Sequence, residues 1–228
     1  MFNYEVVLAN GTIVQASKSS NADLFWALKL AGSNYGIVTR FDIVTYPSPA
    51  IWGALIAYPL TNAIVDELLP QYNQYAHSPN GRNFAGVVFG QTDGNATATT
   101  VQVNLDAMPQ LPWTTATPVL HLEKTASTHD VVEQVLAAVI ELKVRTHWFS
   151  LTTKVDNDFF RDVYAKADQI FNALSVSKGV SWSTSYQSFT KGFIEGAAGT
   201  PVYGTLKAAG DDLVCKHAMT SSFDDFEC

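Results

Sequence analysis

Two periodicities alternate along this chain, and the points where one gives way to the other mark its elements. Tyr4–Ser17 reads as two short strands joined at Asn10-Gly11, a dipeptide suited to a type I′ hairpin turn. From Ser20 the spacing becomes helical. Leu24, Ala27, Leu28 and Ala31 recur on one side, and Ser20 with Asp23 forms a capping-box pattern. Gly32 and Gly36 bracket a loop whose side chains are Ser33, Asn34 and Tyr35. From Ile37 the period is two again, with Ile37, Thr39, Phe41 and Ile43 on one face and Val38, Arg40, Asp42 and Val44 on the other. Pro47 and Pro49 end that strand.

Beyond Pro49, residues 51–58 read as a strand, and Thr61 or Asn62 opens a helix with Ile64, Leu68, Tyr72 and Tyr75 on one side. Pro70 falls inside it and predicts a kink or a division. Residues 82–91 and 97–105 read as paired strands around Asp93-Gly94-Asn95, and 114–122 as a further strand. Ser127-Thr128-His129-Asp130 starts a helix through Leu142 that buries Val131, Val135, Val139 and Leu142. Residues 148–155 are strand-like. Asp156 or Asn157 then caps the longest helix, with Phe160, Val163, Ala167, Ile170 and Leu174 inward. Residues 179–188 alternate as a strand. This order predicts an α+β fold with helices packed on one face of an antiparallel sheet. Residues 206–228 show no apolar period and carry Asp211, Asp212, Asp224, Asp225 and Glu227, which predicts a solvated, disordered tail. No internal repeat stands out.

Composition narrows the function classes. The 228 residues are 47% hydrophobic, enough for one large domain or two small ones. A net charge of −7 with 15% charged residues does not suggest a nucleic-acid surface. No apolar run is long enough to predict a transmembrane helix. The first residues enter a strand directly, without the basic and apolar regions of a signal peptide. Asn10-Gly11-Thr12 and Asn95-Ala96-Thr97 are sequons, the first explained as well by its turn. Cys215 and Cys228 have no metal-ligand spacing and read as inert or free thiols.

Candidate chemistry is sparse. His121 and Glu123 share a strand face but lack a third metal ligand, and His77, His129, His147 and His217 accompany no G-x-S-x-G elbow. Asp156 and Asp158 are explained by helix capping. Tyr186 and Tyr203 could take a substrate proton only with a depressed pKa, and strand tyrosines are usually packing residues. No catalytic residue and no metal site is assigned. The Gly32–Gly36 loop admits two readings: a helix stop at Gly32, or a bare backbone that a cofactor can approach. It is not the G-x-G-x-x-G of a Rossmann turn.

The wording of residues 4–47 is more specific than their spacing. YEVVLANGTIVQAS followed by NADLFWALKLAGSNYGIVTRFDIVTYP closely resembles the end of the flavin domain in FAD-linked oxidases, the berberine-bridge-enzyme-like members of the vanillyl-alcohol-oxidase superfamily. The family pattern is D-L-F-W-A-L-[RK]-G-G-G-[GS]-N-[FY]-G-I-V-T. Asp23 to Lys29 and Asn34 to Thr39 match it in register, while Leu30 and Ala31 stand where two glycines are usual.

The resemblance implies a PCMH-type FAD-binding domain whose C-terminal part is residues 1–48. A partial substrate-binding α+β domain would follow over residues 49–205. It implies FAD as cofactor, with Asn34, Gly36, Ile37 and Val38 as cofactor-binding residues, and a small-molecule substrate that gives up hydride to flavin. The family also includes cyclases of natural-product metabolism, and full-length members are often secreted. Its pyrophosphate loop, its flavin-attaching His and its Tyr-x-Asn-Tyr segment have no counterpart in these residues, so the chain is expected to be truncated at both ends. The alternative is a catalytically inactive remnant, or a partner-binding module without flavin. In either case an uncovered hairpin and strand would expose sheet edges and an apolar face, which predicts self-association.

Overall fold

A computed structural model describes residues 1–29, 34–76, 83–92, 95–106, 113–133, 145–178, 180–189 and 213–222. They fall into two compact units, divided between Pro47 and Ser48. The first unit holds β1 (Asn3–Val7), β2 (Ile13–Ser17), α1 (Ala22–Leu28) and β3 (Ile37–Asp42), with antiparallel strands in the order β2-β1-β3. Tyr4, Val6 and Ala16 from the sheet bury against Phe25 and Leu28 of the helix. The Tyr4 ring sits 5.6 Å from Phe25 and edge-on to Phe41 at 5.7 Å.

Three local expectations in this unit are corrected. The hairpin is not a two-residue type I′ turn. Gly11 N–H donates to Leu8 O and Leu8 N–H to Thr12 O, both at 2.9 Å, and the positive φ falls on Gly11 and not on Asn10. This is a three-residue loop whose glycine bulges, a common alternative when only one left-handed position is needed. Asn21, not Ser20, precedes α1, at φ 47° and with no side-chain cap. Its amide donates instead to Gln15 O at 2.8 Å, tying the helix start to β2. The strict alternation along β3 also breaks, because the β1–β3 register shifts between Glu5 and Val6. Glu5 pairs with Arg40 and Val6 with Val38, so Thr39 is the extra residue. A bulge inverts the parity beyond it, which brings Val38 and Phe41, not Ile37 and Phe41, to the helix side.

The second unit contains a seven-stranded sheet in the order β7-β4-β6-β5-β9-β10-β8, with all six neighbouring pairs antiparallel. Its strands are β4 (Ile51–Pro59), β5 (Asn83–Thr92), β6 (Asn95–Asn104), β7 (Leu120–Ala126), β8 (Arg145–Lys154), β9 (Val180–Phe189) and β10 (Leu213–Ser222). Its helices are α2 (Asn62–Ala76), α3 (Thr128–Val131) and α4 (Asn157–Lys178). The topology is internally repeated. β4-α2-β5 with β6 inserted between its strands matches β8-α4-β9 with β10 inserted between its strands. At the seam, the pairs Gly86–Gln187 and Gly90–Ser183 lie symmetrically about Val88–Ser185. The two halves are thus related by a local two-fold axis, which the sequence does not reveal.

Both long helices cover the same sheet face. Trp52, Ala54, Ile56 and Tyr58 of β4, Val87 and Phe89 of β5, and Trp182 and Tyr186 of β9 bury against Val65, Leu68 and Tyr72 of α2 and Phe160 and Tyr164 of α4. Across the halves, Asp66 pairs with Arg161, and Asn73 with Asn157. α3 lies on the opposite face at the β4 end, where Val131 packs with Ile51 and Leu55. Ser127 caps it, accepting from Asp130 N–H at 3.2 Å. Asp156 caps α4 through Phe159 N–H at 3.1 Å.

Four expectations change here. α2 runs undivided through Pro70. One missing hydrogen bond to Asp66 is outweighed by the burial of Leu68, Leu69 and Tyr72 around it. The buried stripe of α4 is Phe160, Tyr164 and Ala167, whereas Ile170 is exposed. β7 begins at Leu120, not 114, because residues 113–119 arch away from the sheet. The expected disordered tail is overturned over Leu213–Ser222, which form β10 between β8 and β9. An interior strand has both backbone edges satisfied by ladders, so it forms without the apolar alternation used to recognise strands. Of the predicted helix through Leu142, residues 134–142 lie outside the described residues, as does the Asp93-Gly94 turn.

Candidate functional site

Residues 34–38 leave the loop and enter β3, which is an edge strand among the described residues. Asn34 and Tyr35 are exposed, and Ile37 is 71% exposed although its backbone pairs with Val7 of β1. Gly36 has φ +141°, and a Cβ there would stand 2.6 Å from Val7 O and 2.8 Å from Val6 Cγ1. Its bareness is therefore used first by β1, which closes directly upon it. Val38 turns inward to the core of the unit and offers outward only its backbone. Beside this strip, Asp23, Leu24, Trp26, Ala27 and Tyr35 line an open cleft of about 550 Å³. Residues 34–38 thus make an exposed, uncharged backbone strip edged by apolar side chains.

The sheet face away from α1 carries a polar lattice. Arg40 reaches Asp42 at 3.2 Å, Gln15 at 3.3 Å and Glu5 at 3.6 Å, while Asn3 bridges Gln15 and Asp42. Thr39 Oγ1 donates to Glu5 at 2.9 Å, and this bond, with one from Gln15, holds the Glu5 carboxyl below its ordinary range. The face expected to be apolar is therefore polar at its centre. Exposed apolar side chains flank that centre at Ile13 and Ile37 and follow the strand end at Ile43, Val44 and Tyr46.

In the second unit, the sheet face away from α2 and α4 is lined at its middle by Val88, Thr99, Ser183, Ser185 and Gln187, all part-exposed. No catalytic motif marks these residues in the sequence. The signal was the alternation in VSWSTSYQSF, which sets a hydroxyl or amide on every second position of β9.

Tyr186 lies on the other face and is buried. Its hydroxyl donates to Phe160 O at 3.0 Å, and burial pushes its pKa far above the phenol range, the opposite of what a proton acceptor needs. It packs. Tyr4, Tyr58 and Tyr164 are shifted upward by burial too. For such groups the folded state holds the proton more tightly. Their stabilisation is complete below the unfolded phenol pKa of roughly 10 and is lost as pH rises above it. The urea midpoint is expected to fall steeply above that pH, and Tyr186→Phe to flatten the fall. An equally steep fall in the variant would remove Tyr186 as its main source.

His121 Nε2 lies 3.1 Å from Glu123 Oε2, an exposed pair with no third ligand among the described residues. His129, Asp130 and Glu133 bring ligand atoms within 4.8 Å of one another, but on the surface and with Asp130 already engaged by Ser127. Asp156 is used as a cap. Tyr203, His77 and Cys228 lie outside the described residues.

No protein-family model matches the chain. In sequence it is similar to the FAD-dependent monooxygenase tpcD of Cochliobolus heterostrophus, 41% identical over 93 residues, which are 39% of this chain and 18% of that protein. In structure it is similar to the xylooligosaccharide oxidase of Myceliophthora thermophila C1, with a TM-score of 0.67 at 21% identity, covering 99% of this chain and 50% of that one. It also superposes on BBE-like 1 of Physcomitrella patens, with a TM-score of 0.68 at 14% identity, again over 99% of this chain and 50% of the other. The fold is that of the berberine-bridge-enzyme-like FAD oxidases. The chain spans about half the length of these solved structures, and its sequence relatives are FAD-dependent enzymes. No helix among the described residues is long and apolar enough to cross a membrane.

Proposed function

We propose that this chain is the part of an FAD-linked oxidoreductase that supplies one wall of the flavin site and a substrate-facing sheet. The observation that carries the first role is the exposed strip at Asn34, Gly36, Ile37 and Val38. It combines an open strand edge, an outward Ile37 and no charged side chain. A flat, largely apolar ring system is the group such a strip can cover without stranding a charge. Flavin, when bound, accepts hydride from a substrate C–H bond. In this chain Ile37 would cover the ring from water, and the Gly36–Val38 backbone would meet its polar edge. In the second unit, Ser183, Ser185 and Gln187 would orient a small organic substrate by hydrogen bonds. The sequence kinship to FAD-dependent enzymes supports this over a flavin-free partner-binding module.

Titration of FAD with the purified chain, followed by flavin fluorescence anisotropy, tests the wall. The anisotropy is expected to rise saturably, and Ile37→Asp to weaken uptake at least about tenfold by setting a carboxylate against an apolar ring. Unchanged anisotropy at high protein concentration, or equal uptake by the variant, would remove these residues from the cofactor site. The same strip, with the open edge of β3, supports self-association of the chain. Sedimentation coefficients should therefore rise with concentration, and less steeply in Ile37→Asp.

A further inference from the structure

Residues 113–119 between β6 and β7 are pinned at both ends. The Thr114 hydroxyl donates to the Glu67 carboxylate on α2, and Ala116 N–H donates back to Thr114 Oγ1 at 3.1 Å. Val119 N–H donates to Ala57 O on β4 at 2.8 Å, and Trp113 packs its ring 6.2 Å from Tyr72. The segment is a preformed arch. Beneath it lies a cavity of about 430 Å³, within the range of small-ligand sites.

The cavity lies on the sheet face that α2 covers, away from the face given to substrate above. Ile56, Ala116 and Pro118 make it mostly apolar. Tyr58, Thr114, Thr115 and His121 supply its polar groups, the Thr114 hydroxyl being already committed to Glu67. Tyr58 lines the cavity, its side chain 2% exposed and carrying the one phenol of the lining. His121 sits on the rung opposite Ile56 and is held through Nε2 by Glu123 at 3.1 Å. A carboxylate on Nε2–H leaves Nδ1 of the neutral ring as an acceptor. The carboxylates of Glu67 and Glu123, bonded to the lining residues Thr114 and His121, disfavour an anion.

We propose that this cavity is a binding site for a neutral hydroxylated aromatic molecule of one or two rings. The apolar walls take the rings, His121 accepts the ligand hydroxyl proton, and Tyr58 donates to the ligand oxygen.

The test is a calorimetric titration of the full chain with 2-naphthol, naphthalene and 2-naphthoate. Naphthol is expected to bind saturably, and the other two at least about tenfold more weakly. Tyr58→Phe and His121→Ala should each cost naphthol roughly tenfold in affinity. His121 is half-exposed, so its variant should melt with the parent and keeps the test independent of folding. FAD uptake should be unaffected by either change, which separates this site from the flavin wall. Absence of saturable naphthol binding, equal affinity in both variants, or naphthoate binding as well as naphthol would overturn the proposal.

Discussion

Gly36→Ala should destabilise the first unit by about 3 kcal/mol, combining a disfavoured backbone conformation with a steric clash. The single added carbon would sit 2.6 Å from Val7 O, a backbone atom held by the β1 ladder, and φ +141° is a conformation that side chains rarely adopt. Neither partner can move without opening the β1–β3 register at Val7–Ile37. Hydrogen exchange reads the result directly. Amides of Val6, Val7 and Val38 are expected to lose protection while those of β5 and β9 keep theirs. Unchanged protection at Val7 would show that β1 does not close on this glycine.

The second large effect lies at the seam of the seven-stranded sheet. A Cβ at Gly90 would stand 2.6 Å from Trp182 O and 2.9 Å from Ser183 Cβ, both on β9. Gly90→Ala must therefore push β5 from β9, and a loss of about 2–3 kcal/mol is expected. Gly86 supplies the control. It lies on the same strand and face, but its added carbon would meet only Tyr186 O at 3.3 Å, so Gly86→Ala should cost about 1 kcal/mol or less. Chemical denaturation of the two variants in parallel distinguishes them, and equal losses would mean that strand propensity, not the close approach at Gly90, sets both.

How far the sequence revealed the molecule follows from what each signal depends on. Helix starts at Ser127 and Asp156 were legible because capping is local chemistry. Most strands were legible from alternation, including the Ser-rich face of β9 once its pairing is known. The β3 bulge was not, since parity depends on which residue of β1 stands opposite, a fact written in another segment. β10 escaped for a related reason: its ladders with β8 and β9 are supplied by distant partners. Pro70 misled because packing at Leu68, Leu69 and Tyr72 outweighs one lost hydrogen bond. At the candidate site, the words around Asn34–Thr39 pointed to the strip. That Val38 turns inward, and that Gly36 is needed by β1, depended on tertiary pairing.

The two-fold relation within the seven-stranded sheet has a consequence for how the polypeptide can be cut and rejoined. Each β-α-β-β half completes its own strand order, β4-β6-β5 or β9-β10-β8, so no ladder within a half crosses the peptide link between them. What unites the halves is the β5–β9 ladder, the shared core in which Tyr72 and Phe89 meet Phe160, Tyr164 and Tyr186, and the clasp of Asp66 on Arg161 and Asn73 on Asn157. The covalent link between the halves raises the local concentration of one near the other. The sheet is a covalently linked heterodimer of two half-sheets, and two separately made chains could reassemble it through the same seam.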